Sequence, residues 1–141
     1  MELTYDAYVR NQGLLSDAAE MAGWIQNLVA TVNMHVIGGP YVVEYPGGDG
    51  IDRGLSGVIL LAESHIVVHT WPEMGFLGLD LYSCKDFQMA RALAEIHKTV
   101  KPRSEWAVTL ERGVEHGRVT PVQFRSSWHN VVMPPEGSAY V

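Results

Sequence analysis

The stretch from Leu61 to Cys84, LAESHIVVHTWPEMGFLGLDLYSC, decides how this chain folds. Its HIVVHTW and GFLGLDLY segments are rich in β-branched, aromatic and apolar residues, which favours two strands. The preceding segment LSGVILLA, from Leu55 to Ala62, has the same character and meets HIVVHTW at Glu63-Ser64. We therefore expect three consecutive strands of an antiparallel sheet, with a tight turn at Glu63-Ser64.

The segments on either side predict further strands and two helices. ELTYDAYV alternates apolar positions and predicts a first strand. The segment DAAEMAGWIQNLVATV predicts a helix capped by Ser16, because Met21, Ile25 and Leu28 recur at helical spacing. NMHVI and YVVEY predict two β segments separated by Gly38-Gly39-Pro40, and the glycine-rich PGGDGIDRG predicts a loop.

The second predicted helix, DFQMARALAEIHKTVK, begins at Asp86 and ends before Pro102. Its apolar side is expected to carry Phe87, Ala90, Ala94, Ile96 and Val100. EWAVTLER then predicts a last strand, and residues 114–141 have only weak periodicity. The order β-α-β-β-β-β-α-β indicates an α+β, two-layer sandwich, with a mostly antiparallel sheet and two helices on one face. We expect a single domain over residues 1–141, whose second sheet face is covered or carries a site.

Composition and charge argue against several classes of function. The 141 residues carry a formal charge of −6 and only ten Lys and Arg, which argues against a nucleic-acid-binding protein. One Cys cannot form an internal disulfide, and MELTYDAYVRNQ lacks the basic and apolar regions of an export signal. Apolar runs are too short to span a bilayer. We expect a reduced, cytoplasmic location without membrane or nucleic-acid partners.

Three kinds of chemistry are conceivable in the central stretch. His65 and His69 could share a metal ion on a helix, but four residues of strand span about 13 Å, so we expect no metal site. His69 could activate Cys84 as a nucleophile, although such a pair alone is weak support. Ser64, at a tight turn, could attack the preceding carbonyl in an N→O acyl shift. Loss of the acyl group by β-elimination would leave a pyruvoyl group and cut the chain between Glu63 and Ser64.

These residues carry a family resemblance. SGVILLAESHIVVHTWPEMGFLGLDLYSC resembles the core of the prokaryotic S-adenosylmethionine decarboxylase proenzymes, which have a Ser-Gly strand, Glu-Ser-His, His-Thr-Trp/Tyr-Pro-Glu, an Asp and a Cys in this order. The resemblance implies that Ser64 becomes a covalent pyruvoyl cofactor, and that Ser56 and His69 assist processing. It also implies that Cys84 returns a proton to the substrate α-carbon.

The resemblance further implies a substrate pocket and a partner. Trp71, Glu73 and His65 would line the pocket, with Glu73 facing ribose hydroxyls, and a homodimer would share its pockets across the interface. The pyruvoyl carbonyl would form a Schiff base with the substrate amine and accept the electrons released by decarboxylation, which no ordinary side chain can do. The product would be the aminopropyl donor for spermidine synthesis.

Two alternatives remain open from the residues. Relatives that decarboxylate ornithine or arginine share the processing core, and Asp49 or Asp52 could pair with a distal ammonium or guanidinium group. A chain of the same fold that binds a ligand without catalysis is the second alternative. Trp71 and Glu73 favour a nucleoside-bearing substrate, because an aromatic face and a carboxylate suit adenine and ribose.

Overall fold

Seven antiparallel strands form the main sheet. The computed structural model describes residues 1–48 and 52–111 with their side chains, and the backbone of three short strands within residues 114–127. The elements in chain order are β1 (Glu2–Val9), α1 (Gln12–Ser16), α2 (Ala18–Val32), β2 (Val36–Tyr45), β3 (Gly54–Leu61), β4 (Ser64–Trp71), β5 (Phe76–Ser83), α3 (Met89–Val100), β6 (Pro102–Glu111), β7 (Val114–Glu115), β8 (Arg118–Val119) and β9 (Gln123–Ser127). The order in the main sheet is β2-β3-β4-β5-β1-β6-β9, and β7 pairs with β8.

The central strands β3, β4 and β5 form the antiparallel meander that the sequence predicts. Ser56 pairs with His69, which in turn pairs with Gly78 on β5. Residues alternate between the two faces, so Ile59, Ile66 and other apolar side chains of one set point to the helices and are fully buried. Burial of each such side chain contributes about 1.5–3 kcal/mol, which fixes the register against a one-residue slip.

The helices cover one face of the sheet, as expected for the two-layer fold. Met21, Ile25 and Leu28 of α2 are completely buried, in agreement with the predicted apolar stripe. Gly57 lets α2 approach β3, because a Cβ at that position would lie 2.8 Å from Met21 Sδ and 2.9 Å from Ile25 Cδ1. The Gly of the Ser-Gly strand is therefore a packing requirement.

The helix starts differ from the prediction. Ser16 does not cap α2, because it ends the short helix α1; Asp17 is the N-cap and accepts hydrogen bonds from the amides of Ala19 and Glu20. The second long helix begins at Met89 and not at Asp86, since residues 84–88 lead away from the end of β5.

The buried side of α3 also differs from the prediction. Its inward positions are Ala92, Ile96 and Val100, spaced by one turn, whereas Ala90 and Ala94 are exposed. Several small apolar residues in this segment satisfy more than one helical stripe, so the sequence alone leaves the rotation of the helix undetermined.

The two predicted β segments around Gly38-Gly39-Pro40 form one strand, β2, whose pairing with β3 shifts register twice. On the sheet face away from the helices, which we call the open face, large apolar side chains stay accessible: Tyr41 is 57%, Val43 65% and Leu60 44% exposed. An unpaired apolar surface of this kind is typical of an interaction site. No helix among the described residues has the length and apolar character needed to cross a membrane.

Candidate active site

The turn between β3 and β4 holds the predicted cleavage site in a strained and hydrogen-bonded conformation. Leu61 pairs directly with Ser64, so the connection contains only Ala62 and Glu63. Ser64 has φ of 156°, a region that residues other than Gly rarely adopt and that costs about 1–3 kcal/mol. The Cys84 backbone N–H donates to the Glu63 carbonyl oxygen at 3.0 Å. The carbonyl that would be attacked is therefore already polarised by a fixed donor.

The Glu63 side chain has partners that the sequence did not indicate. Its carboxylate accepts a hydrogen bond from the His35 backbone N–H at 3.0 Å and lies 2.8 Å from His35 Nδ1, with Lys85 Nζ at 3.8 Å. The hydrogen bonds from His35, that of its backbone N–H first and that of its side chain second, lower the pKa of the buried Glu63 carboxyl to about 2. His35 was predicted only as part of a β segment. It lies 28 residues from Glu63, so only the fold brings the two together.

Ser64 is hydrogen-bonded to its neighbour in the chain. Ser64 Oγ lies 3.0 Å from His65 Nδ1, and His65 Nε2 lies 3.5 Å from Asp80 Oδ1 on the adjacent strand. The predicted site residues Glu63, Ser64 and His65 therefore meet the backbone of Cys84 at one end of β4. This group, together with Asp80, is called the cleavage cluster below.

A second group of predicted residues lies further along the same strand. Ser56 Oγ and His69 Nδ1 are 2.9 Å apart, and the rings of His69 and Trp71 are 6.3 Å apart. Glu73, in the turn that follows β4, forms an ion pair with Arg53 at a distance of 2.6 Å. We call Ser56, His69, Trp71 and Glu73 the distal cluster.

The two clusters are separate within one chain. Ser64 and His69 are five residue steps apart along β4, which corresponds to about 16 Å. The Ser56–His69 pair therefore does not reach Ser64 of the same chain. The thiol-nucleophile interpretation also lacks support within one chain, because Cys84 lies beyond Ser83, the partner of Ser64, whereas His69 pairs with Gly78.

Asp49 and Asp52, the alternative substrate contacts, belong to the predicted loop after β2. Asp49 lies outside the described residues, and Asp52 is exposed. Among residues 1–48 and 52–111, no three His, Cys, Asp or Glu side chains form a group that could hold a metal ion.

Comparison with known proteins identifies similar chains. The family model described as S-adenosylmethionine decarboxylase matches residues 1–113. The S-adenosylmethionine decarboxylase proenzyme of Picrophilus torridus is 36% identical over 109 residues, covering 77% of this chain and 79% of that protein. The proenzyme of a Sulfurihydrogenibium species is 47% identical over 63 residues, which is 44% of this chain and 47% of that protein.

A solved structure has the same fold. The crystal structure of the adenosylmethionine decarboxylase from Aquifex aeolicus superposes with a TM-score of 0.64 at 26% identity, covering 85% of this chain and 95% of that chain.

The lowered pKa of Glu63 predicts a pH-dependent stability. A depressed carboxyl pKa stabilises the fold above the ordinary value of 4.5, and this contribution is lost as pH falls towards 2. In a Ser64→Ala background, which blocks the expected cleavage, the chain with Glu63 should therefore resist urea better than its Glu63→Gln counterpart at pH 6. The difference should shrink between pH 4.5 and 2. A difference that stays constant across this range would contradict the assignment.

Proposed function

Because the chain belongs to the S-adenosylmethionine decarboxylase family, we propose that it is a proenzyme that cleaves itself between Glu63 and Ser64 and then decarboxylates S-adenosylmethionine. One observation carries the cleavage step: the strained Ser64 follows a carbonyl that the Cys84 amide already holds at 3.0 Å. A hydroxyl beside such a carbonyl is positioned for an N→O acyl shift, because the amide donor stabilises the oxygen that becomes negative.

The cofactor in this proposal is a pyruvoyl group made from Ser64. The residues fit its formation, since Ser64 begins β4, its Oγ contacts an imidazole, and its peptide carbonyl has a fixed donor. The pyruvoyl carbonyl would supply an acceptor for the electrons released with carbon dioxide, which side chains do not offer. Once the chain is cut, the pairing of His65 with Tyr82 across β4 and β5 would hold the new chain end in place.

We propose that the second half of each site comes from another copy of the chain. The Ser56–His69 pair is about 16 Å from Ser64 along β4 but lies on the same open face as His65. A two-fold axis that lies between two stacked open faces and runs across the strands reverses the strand direction, so the distal cluster of one copy can face the cleavage cluster of the other. Exposed Tyr41, Val43 and Leu60 would be buried in such a homodimer.

In this arrangement, Ser56 and His69 of one copy assist processing of the other. Trp71 and Glu73 then contribute to a substrate pocket that spans the interface. Glu73 is paired with Arg53, so a ribose would have to share or replace this ion pair. Cys84, exposed and next to the cleavage site, is the proton donor to the substrate α-carbon. We place the enzyme in the cytoplasm, where it would supply the aminopropyl donor for spermidine synthesis.

Self-cleavage is the first test of this function. Intact mass spectrometry of purified protein should show a chain ending at Glu63 and a second chain that begins with a pyruvoyl group in place of Ser64. Ser64→Ala, which lacks the hydroxyl, should stay as one chain. An active preparation that contains only the intact chain would contradict the mechanism, and an inactive, uncut wild type that still binds ligand would favour the non-catalytic alternative.

The shared site predicts complementation between two inactive variants. Ser64→Ala keeps the distal cluster but lacks the hydroxyl that attacks. His69→Ala keeps Ser64 but lacks the imidazole of the distal cluster. Neither variant should therefore cleave efficiently alone. In a mixed dimer, the intact Ser64 of one copy would meet the intact His69 of the other, and up to about half of the His69→Ala chains should be cut. Absence of any cleavage in co-expressed, purified heterodimers would show that each chain uses its own His69.

Substrate choice is tested by carbon dioxide release from S-adenosylmethionine, ornithine and arginine in parallel on processed protein. We expect turnover of S-adenosylmethionine, because Trp71 and Glu73 suit a nucleoside. Turnover of a basic amino acid alone would overturn the substrate while leaving the mechanism intact.

The role of Cys84 is tested by its substitution. Cys84→Ala keeps the backbone amide that holds Glu63, so it should still cleave but should lose at least about tenfold in decarboxylation rate. Failure of Cys84→Ala to cleave would move the thiol into processing.

A further inference from the structure

We propose that His65, positioned by Asp80, takes the hydroxyl proton of Ser64 in the first step of self-cleavage. This assignment rests on the proposed function and adds a proton acceptor from the same chain. Ser64 Oγ is 3.0 Å from His65 Nδ1, a hydrogen-bond distance that needs no second copy and no rearrangement. The resemblance implied a substrate-binding role for His65, whereas its Nδ1 atom faces the nucleophile.

Asp80 has the properties of a partner for a protonated His65. Its Oδ1 atom is buried and has no hydrogen-bond partner among the described residues, although it lies 3.5 Å from His65 Nε2. A buried carboxylate oxygen without a donor is costly, and it gains most when the facing nitrogen carries a positive charge. Asp80 would therefore stabilise the imidazolium that exists only after Ser64 has lost its proton, and would hold the ring with Nδ1 towards Ser64.

The surroundings of His65 keep the ring in place without shielding it completely. Its ring packs against Tyr82 on β5 with a centroid distance of 6.0 Å, and about a third of the side chain remains exposed. The ring therefore packs on Tyr82 and lies beside the Asp80 carboxylate, while small solutes can still reach it.

The acyl shift needs no reactant besides Ser64, the Glu63 carbonyl group and His65. The Ser64 hydroxyl proton moves to His65 Nδ1 as Oγ bonds to the Glu63 carbonyl carbon, and the carbonyl oxygen becomes an oxyanion held by the Cys84 N–H. The oxyanion then collapses, the carbon–nitrogen bond between Glu63 and Ser64 breaks, and the departing Ser64 nitrogen takes the proton from His65. The products are an ester between Glu63 and Ser64 Oγ, a free Ser64 amine and a neutral His65.

The geometry thus assigns different steps of self-cleavage to His65 and His69. His65 serves the acyl shift within its own chain. The Ser56–His69 pair, supplied by the second copy in the proposed dimer, is left for the later elimination that converts the ester into the pyruvoyl group. A variant blocked in the acyl shift keeps an ordinary peptide bond, whereas a variant blocked afterwards keeps an ester.

The experiment compares the cleavage of freshly purified precursors, with and without neutral hydroxylamine, which cuts esters much faster than peptide bonds. His65→Gln should cleave at least about 100-fold more slowly than wild type, since Gln cannot accept and return a proton. Its uncut chain should resist hydroxylamine. Added imidazole should restore cleavage of His65→Ala, because the vacated position is partly exposed. His97→Gln, on α3 and away from the site, is the matched control and should cleave at the wild-type rate.

Asp80 is tested through its dependence on His65. Asp80→Asn should slow cleavage about tenfold in the wild-type background and should add nothing in the His65→Ala background, because Asp80 acts through the imidazole. A purely structural role would give the same slowing in both backgrounds and would overturn the positioning role.

Four outcomes would refute the His65 assignment. A His65→Gln chain that cleaves as fast as wild type, or that accumulates a hydroxylamine-sensitive ester, would overturn it while the proposed function stands. Failure of imidazole to restore a folded His65→Ala, checked by its unfolding midpoint, would also count against it. A wild-type chain that never cleaves would overturn the proposed function, and this assignment with it.

Discussion

The hydrogen bond from the Cys84 amide to the Glu63 carbonyl is the contact on which the candidate site depends. It joins the end of β5 to the turn between β3 and β4, and it fixes the one carbonyl whose carbon Ser64 can reach. Its donor is held by the main sheet, because the Ser83 amide donates to the Met1 carbonyl at 2.9 Å and the Met1 ammonium donates to the Ser83 carbonyl at 2.7 Å. The donor is thus set in place before any charge develops, which is what electrostatic stabilisation of an oxyanion requires.

The same turn separates two functions of Glu63. Its backbone carbonyl faces the chemistry, whereas its carboxylate is turned away and held by His35 and Lys85. Because the hydrogen bonds from His35 lower the carboxyl pKa to about 2, the group stays ionised at neutral pH and is a poor proton donor or acceptor there. In the proposed mechanism, Glu63 therefore anchors the scissile bond, and imidazole groups carry out the proton transfer.

Two Ser–His pairs stand on the open face, and their environments differ. Each pair uses the Nδ1 atom of its histidine: His65 contacts Ser64 and His69 contacts Ser56. Among the contacts that the structure describes, only His65 has a carboxylate within ion-pair distance of its second ring nitrogen, Nε2. This carboxylate belongs to Asp80. The open face thus holds two chemically distinct pairs about 16 Å apart, which an antiparallel stacking of two copies can bring together.

The sequence by itself determined the strands β1, β3, β4, β5 and β6, the tight turn just before Ser64 and the residue types of the site. These features depend on the local alternation of apolar residues and on a motif contained in 29 residues, from Ser56 to Cys84. The sequence alone does not determine where α2 starts, because Ser16 and Asp17 are both good caps and only the short helix α1 selects Asp17. Only the tertiary structure decided which side chains meet. His35 contacts Glu63 across 28 residues, Asp80 reaches His65 across a strand pair, and His69 is kept from Ser64 by the rigid length of β4. Such contacts depend on strand register and helix packing, which involve residues distant in the chain and leave no periodic signal in the sequence.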